Sequence, residues 1–135
     1  MSETIRTEIL LPHPPARVWQ ALTDQNLLSR WLMATDFRPE VGAQFSFDTG
    51  QWGITRCEVI TMEPPQHLRY TWVNPPLNTT VTWTLIPDGT GTRLVLEHAG
   101  FDLSDHRQRF AYEGMKNGWG GILSQRLVAA LTDAS

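Results

Sequence analysis

From Ser104 to Leu131 the chain carries one long apolar stripe. Trp119, Ile122, Leu123, Leu127, Ala130 and Leu131 recur at three- and four-residue steps, the spacing that lines up side chains on one face of an α-helix. Lys116, Asn117, Gln125 and Arg126 take the remaining positions, as a half-exposed helix requires. Asp102 or Ser104 would cap the first turn. Upstream, apart from one short helical segment, the chain alternates as strands do. A long helix after a run of strands constrains the fold to α+β, the helix lying across one face of an antiparallel sheet.

Gly114, Gly118, Gly120 and Gly121 crowd the first half of this helix, and each costs roughly 1 kcal/mol relative to alanine in a helix interior. Either the helix begins only near Trp119, or it is continuous and the glycines admit a close neighbour, a strand side chain or a ligand. Phe110, Tyr112 and Met115 keep apolar contacts ahead of the glycines and favour continuity.

The rest reads in order. Thr4 to Leu11 alternates as a strand, ended by Pro12-His13-Pro14-Pro15. Ala16 to Leu22 follows as a helix behind proline, with Val18, Trp19 and Leu22 on one stripe, and Thr23-Asp24 stops it and caps a further turn or two through Leu27, Leu28 and Trp31. About six strands come next: a weak one around Phe37, then Ala43 to Asp48, Ile54 to Met62, His67 to Val73, Thr79 to Ile86 and Thr92 to His98. Side-chain parity in Ile54 to Met62 is ambiguous, because Val59 and Ile60 are both apolar and a bulge there would swap faces. In Thr79 to Ile86, Val81, Trp83 and Leu85 share a face and the threonines take the other. Pro87-Asp88-Gly89-Thr90-Gly91 is a hairpin turn.

Composition sets the outer limits. A chain of 135 residues fits one domain, 1–135, able to bury roughly 68% of its unfolded surface. A net charge of −3 without a basic block gives no footprint for nucleic acid. No apolar run is long enough for a membrane span, and the N-terminus lacks signal-peptide regions. The single cysteine, Cys57, excludes an internal disulfide and suits the cytoplasm. The Asn78-Thr79-Thr80 sequon is then accidental. Six tryptophans exceed what a core of this size needs and suit either an aromatic-rich core or a pocket wall.

Several segments together resemble a known family. They are Pro15 to Asp24 with Trp31, Val41 to Phe45, Glu63 to Trp72, Gly91 to Leu94, Gly100-Phe101, and Gly118-Trp119 with Leu123 and Leu127. In this order they are similar to the START-like (SRPBCC) helix-grip superfamily, specifically to the C-terminal domain of the activator of heat-shock-protein-90 ATPase. Ala43 and Leu32 depart from its pattern, standing where a second glycine and a second aromatic are common. The resemblance implies a curved antiparallel sheet gripping a long C-terminal helix around a hydrophobic cavity, with two short helices after the first strand. It implies binding of a lipid-like or aromatic small molecule, or alternatively a chaperone partner in the stress response, or a cavity-based enzyme. The chain would act as a monomer or homodimer, without cofactor.

No residue set carries a recognisable reaction. The G-x-S-x-G and phosphate-loop patterns are missing, and Cys57 has no evident activating partner. His98, Asp102, Asp105 and His106 lie close in sequence but not at metal-ligand steps, so neither catalytic nor metal residues are expected. Asp48, Arg56 and Glu58 are candidate polar cavity groups, and Tyr70, Tyr112 or Trp72 could present an O–H or N–H to a ligand. Pleating groups the expected cavity wall by parity: Tyr70 and Trp72 (with Leu68) on one strand, Val81 and Trp83 (with Leu85) on the next, then Leu94, Leu96 and His98. The helix answers with Tyr112, Met115 and Trp119.

Overall fold

The computed structural model describes residues 2–133. The order is β1 (Ser2–Leu11), α1 (Pro15–Thr23), α2 (Gln25–Trp31), β2 (Gln44–Asp48), a 3-10 turn (Gly50–Trp52), β3 (Ile54–Glu63), β4 (His67–Asn74), β5 (Leu77–Asp88), β6 (Gly91–Asp102) and α3 (His106–Gly121). A π-wound stretch, Ile122–Leu127, joins α3 directly to α4 (Val128–Asp133). The strands form one antiparallel sheet in the order β1-β6-β5-β4-β3-β2. This is the α+β helix-grip arrangement, with two short helices after the first strand.

Local chemistry explains the bracket of α1 and α2. Pro15 sits at the first helical position, where its missing N–H costs nothing. Asp24 ends α1 and caps α2, its carboxylate accepting from Leu27 N–H at 3.0 Å. Trp31 fastens the pair by donating its indole N–H to the Ala21 carbonyl at 2.9 Å. The weak strand expected around Phe37 is only an isolated bridge, Thr35 to Phe47. Side chains there take over the work of a ladder: the Thr35 hydroxyl donates to the Ser46 carbonyl at 2.7 Å, and Asp36 accepts from Ser46 N–H at 2.7 Å.

Parity in the sheet holds with one swap. The row Val59–Tyr70–Val81–His98–Ile5 runs across β3, β4, β5, β6 and β1, all buried on the helix side. Trp83 is fully buried, whereas Thr82 and Thr84 are only partly so. Thr79 is a correction: it shares parity with Val81 and lies buried on the inner face, not with the outward threonines. The register of β3 shifts between Val59 and Thr61. Thr55, Cys57 and Val59 therefore point inward, and beyond the shift Met62 packs on the core while Ile60 is exposed. Arg56, Glu58 and Asp48 face solvent and contribute nothing to the interior.

The C-terminal helix is continuous, but its cap is neither Asp102 nor Ser104. Strand β6 runs on through Asp102, which delays the first turn, and Asp105 caps it by accepting from Arg107 N–H at 2.9 Å. Asp102 instead accepts from Ser104, from the backbone N–H at 3.0 Å and the hydroxyl at 2.6 Å. Of the sixteen residues of α3 only Trp119 is buried, while Leu123, Leu127, Ala130 and Leu131 behind it are all in the core. A Cβ at Gly114, Gly118, Gly120 or Gly121 would meet no heavy atom within 4 Å, so no strand side chain presses on them. Gly114→Ala should then raise stability by about 0.5–1 kcal/mol through helix propensity alone, read in denaturant melts. A loss would show that space beside α3 is occupied.

Candidate functional site

The space between sheet and helix divides into two ends. At one end α1 and α2 pack against α4, and Trp31 meets Trp83 edge-on at 6.1 Å between ring centroids. At the other end the sheet is covered by the sparsely buried α3. Trp119 reaches down from it to Trp83 at 5.8 Å and Trp72 at 6.1 Å, both edge-on. Tyr70, Trp72, Val81, Trp83, Leu94, Leu96 and His98 all project from the sheet toward the helix side and are buried. Tyr112 and Met115 are half-buried at the margin, Tyr112 lying edge-on to Phe101 at 5.4 Å.

The rim of the open end is aromatic and exposed. Phe110 stands nine residues before Trp119, half a turn round the helix, and so faces away from the core. Its ring still meets Trp52, at 6.4 Å, although the two are 69% and 62% exposed. The turn carrying Trp52 is held by Asn74, whose amide donates to the Trp52 carbonyl and the Thr55 hydroxyl, each at 3.1 Å.

A chain of hydrogen bonds runs through the interior. Trp119 donates its indole N–H to His98 Nδ1 at 3.3 Å. An accepting Nδ1 in a neutral ring leaves the proton on Nε2, which lies 2.8 Å from Thr79 Oγ1. Thr79 passes its own proton to the Trp72 carbonyl at 2.9 Å. Burial pushes the His98 pKa down to about 3, since a charged imidazolium would have no water and no counter-ion there. Beside this chain, Trp83 donates to the Tyr70 hydroxyl oxygen at 2.9 Å, and burial pushes the Tyr70 phenol well above its usual range. Burial, aided by Asp36, likewise drives the Cys57 thiol up to about 12, which keeps it an unreactive neutral thiol. The Trp72 indole N–H is buried with no partner among the described residues.

Sequence reasoning missed Thr79 as the link between His98 and the backbone, though its odd number places it in phase with Val81. It also missed the floor of Phe37, Phe45 and Phe47, where Phe45 meets Phe37, Phe47 and Tyr70 edge-on and Phe37 meets Tyr70 edge-on. Alternation in β2 signals Phe45 and Phe47, but nothing local signals Phe37. Among the described residues no three His, Cys, Asp or Glu side chains gather as a metal site. Two surface grooves lie elsewhere: one of about 490 Å³ beside Arg30, Leu32 and Arg126, and one of about 330 Å³ by Leu10, Pro12 and Thr90. Neither opens between α3 and the sheet.

The comparisons with known proteins agree with this geometry. The family model described as Activator of Hsp90 ATPase homolog 1-like protein matches residues 12–132. The chain belongs to that family. Its fold is similar to that of protein MLL2253 from Mesorhizobium loti, with 38% identity over 98% of this chain and 99% of the other, at a TM-score of 0.88. It is also similar to Bacillus halodurans protein BH1534, at 26% identity, 96% coverage of both chains and a TM-score of 0.83. DynU16, from the dynemicin biosynthetic locus, matches at 26% identity and a TM-score of 0.78, over 98% of this chain and 48% of that one. No curated protein matches the sequence. Among the described residues of this family member no helix is long and apolar enough to cross a membrane.

The neutral His98 gives this family member a pH signature. Its folded pKa, about 3, lies below the unfolded value of 6.5, so on acidification the unfolded chain takes up a proton that the folded one refuses. Stability is complete above pH 6.5 and falls as pH drops from there toward 3, by roughly 2 kcal/mol at pH 5. Asp102 and Asp105, held below the usual range by the Ser104 hydroxyl and the Arg107 N–H respectively, act only at lower pH. Denaturant melts between pH 7 and 5 measure the loss, and an NMR titration of the His98 ring should show no protonation while α3 stays closed over it.

Proposed function

We propose that this protein binds a small, largely apolar molecule, lipid-like or aromatic, between the sheet and the first half of its C-terminal helix. The observation that carries this reading is the unequal burial of that helix. One residue in the sixteen of α3 is buried, and its glycines face open space, whereas the turns that follow are packed into the core. A cover held by one tryptophan can be lifted at modest cost, and the sheet beneath it offers an aromatic surface of Trp72, Trp83 and Tyr70. The interior is filled by side chains in the closed form, so binding proceeds by local unwinding of α3 and displacement of Trp119. The expected wall is Tyr70, Trp72, Val81, Trp83, Leu94, Leu96 and His98, with Tyr112, Met115 and Trp119 as the cover. That DynU16 comes from a biosynthetic locus supports a small molecule as the occupant.

A second reading rests on the exposed Trp52–Phe110 pair. Aromatic residues exposed side by side suit a protein contact, and the family description makes a chaperone the natural partner. An enzyme is the weakest reading, because His98 has both nitrogens engaged and no carboxylate to orient it.

Native mass spectrometry and tryptophan fluorescence against fatty acids, flavonoids and polycyclic aromatics test the first reading. Saturable one-to-one binding is expected, and a folded protein that takes up none of these classes would overturn it. Replacing Gly114 and Gly118 together by alanine should stiffen the cover and weaken binding by about 5- to 30-fold, the equivalent of 1–2 kcal/mol on the closed state. Unchanged affinity in a more stable variant would show that the cover does not unwind. Loss of partner capture in Trp52→Ser, with small-molecule binding intact, would instead favour the second reading.

A further inference from the structure

The sheet has two edges, and the described chain closes only one of them. Strand β2 is short, and the segment ahead of it covers its outer side. Thr35 bridges to Phe47, the Asp48 N–H donates to the Ala34 carbonyl at 2.9 Å, and Asp36 accepts from the Ser46 N–H. Strand β1 lies at the opposite edge with β6 as its single neighbour. Among the described residues no hydrogen bond outside the β1–β6 ladder reaches the β1 backbone. The N–H and C=O groups on its free side are open to another strand. Native proteins blunt such edges with proline, lysine or a bulge. Strand β1 contains neither proline nor lysine, and its register shift between Glu3 and Thr4 leaves Thr4 to Leu11 regular.

Symmetry restricts what can pair there. A second copy whose helix-covered face lies on the same side of a shared sheet is related by a two-fold axis perpendicular to that sheet. The two β1 strands then run antiparallel. Residues directly opposite share a face, so inward Ile5, Thr7 and Ile9 meet one another, and outward Thr4, Arg6, Glu8 and Leu10 do likewise. Central axes pass through Arg6, Thr7 or Glu8. An axis at Arg6 sets that guanidinium against its own copy, and an axis at Glu8 does the same to the carboxylate. The axis at Thr7 instead sets Arg6 against Glu8 of the second copy, once on each side. It also sets Ile5 against Ile9 and Thr4 against Leu10.

We infer that β1 is a self-recognition edge, through which two copies of this chain join their sheets by antiparallel pairing about Thr7. The charges on the outer face fit that register. Arg6 and Glu8 touch within the strand at 2.9 Å, and Arg93 of β6 reaches Glu8 at 3.7 Å, all three partly exposed. Glu97 stands opposite Arg6 on β6. Pairing at Thr7 joins the two sets into one cluster in which Arg6 and Arg93 of each copy are balanced by Glu8 and Glu97. On the inner face Ile9, half-buried in the single chain, gains Ile5 of the second copy as a neighbour. Leu10, 66% exposed, gains cover from Thr4 of the second copy. One strand pair is small for an interface, so the dimer is a weak one.

Sedimentation velocity on the intact chain from about 10 to 500 µM, the span of weak association, tests it. Wild type is expected to pass from monomer to dimer, and a monomer throughout overturns the inference. Arg6→Glu leaves only acids beside the axis and Glu8→Arg only bases. Each should raise Kd at least about tenfold, since like charges then face each other on both sides of Thr7. Mixed in equal amounts, the two variants should associate about as tightly as wild type, because opposite charges meet again across the axis. The double variant Arg6→Glu/Glu8→Arg should self-associate for the same reason. A dimer that neither single change weakens, or a weakening that mixing does not repair, overturns the pairing at Thr7. Hydrogen exchange reports the edge itself without any substitution: every second β1 amide should slow as concentration rises. Slowing elsewhere with β1 unchanged overturns the assignment of the edge.

Discussion

The placement of Trp119 against the sheet is the contact on which the open half of the molecule depends. It is the one buried residue of α3, and its ring meets Trp72, Trp83 and His98 while its N–H fixes the imidazole tautomer. Sixteen residues of polar, glycine-rich helix would be marginal in water without a tertiary anchor. The same helix gains its permanent hold only beyond Gly121, where Leu123, Leu127, Ala130 and Leu131 enter the core beside α1 and α2. The π-wound stretch lies at that junction. There Arg126 donates to the Leu32 carbonyl at 3.5 Å, tying the packed half to the end of α2. A π turn changes the phase of the apolar stripe, so the side chains before and after it need not point along one line.

Much of this was legible in the sequence because two periodicities carry it. Step-two alternation in β4, β5 and β6 fixed which side chains meet the helix, and step-three-or-four spacing located the helix that meets them. Even the ambiguity at Val59 and Ile60 was visible as a conflict of parity, which the register shift resolves. What escaped was set by interactions between distant segments. The strand expected near Phe37 gave way because Thr35 and Asp36 satisfy the β2 backbone with side chains. The helix cap moved to Asp105 because β6 pairs with β1 as far as Asp102. Thr79 was grouped by residue type with the outward threonines, although its position put it inside. The candidate polar cavity groups Asp48, Arg56 and Glu58 fell on the solvent side for the same reason of phase.

The candidate site itself was less legible than the fold. Parity names the residues that face the helix, but it does not say whether they leave room between them. Here they meet ring to ring in the closed form, so a site depends on the energetic cost of opening. That cost reflects the difference between α3 and the turns after it. Burial of an aromatic ring contributes a few kcal/mol, and α3 has one such ring where the packed end has several large side chains. Its helical interior also carries glycines that lower its own stability. The two halves of one continuous helix thus differ in local stability by design of sequence, and local opening is drawn from the weaker half.

The polar arrangement beneath α3 narrows the chemistry further than the fold does. A sheet that grips a helix is compatible with many activities, so the fold alone chooses among none of them. His98 looks at first like a general base: it is buried, aromatic-flanked and centrally placed. Its hydrogen bonds argue otherwise. Trp119 occupies the nitrogen that would accept a proton, and Thr79 occupies the one that carries it, with the chain ending on a backbone carbonyl. To act as a base His98 would have to release Trp119 and accept a charge that burial holds off until about pH 3. Lifting α3 removes Trp119 and admits water, which would restore the free nitrogen and relax the desolvation together. The opened state would then carry a titratable histidine that the closed state conceals. Protonation would favour that opened state by charging His98, and the binding reading proposed above would call on the same displacement of Trp119.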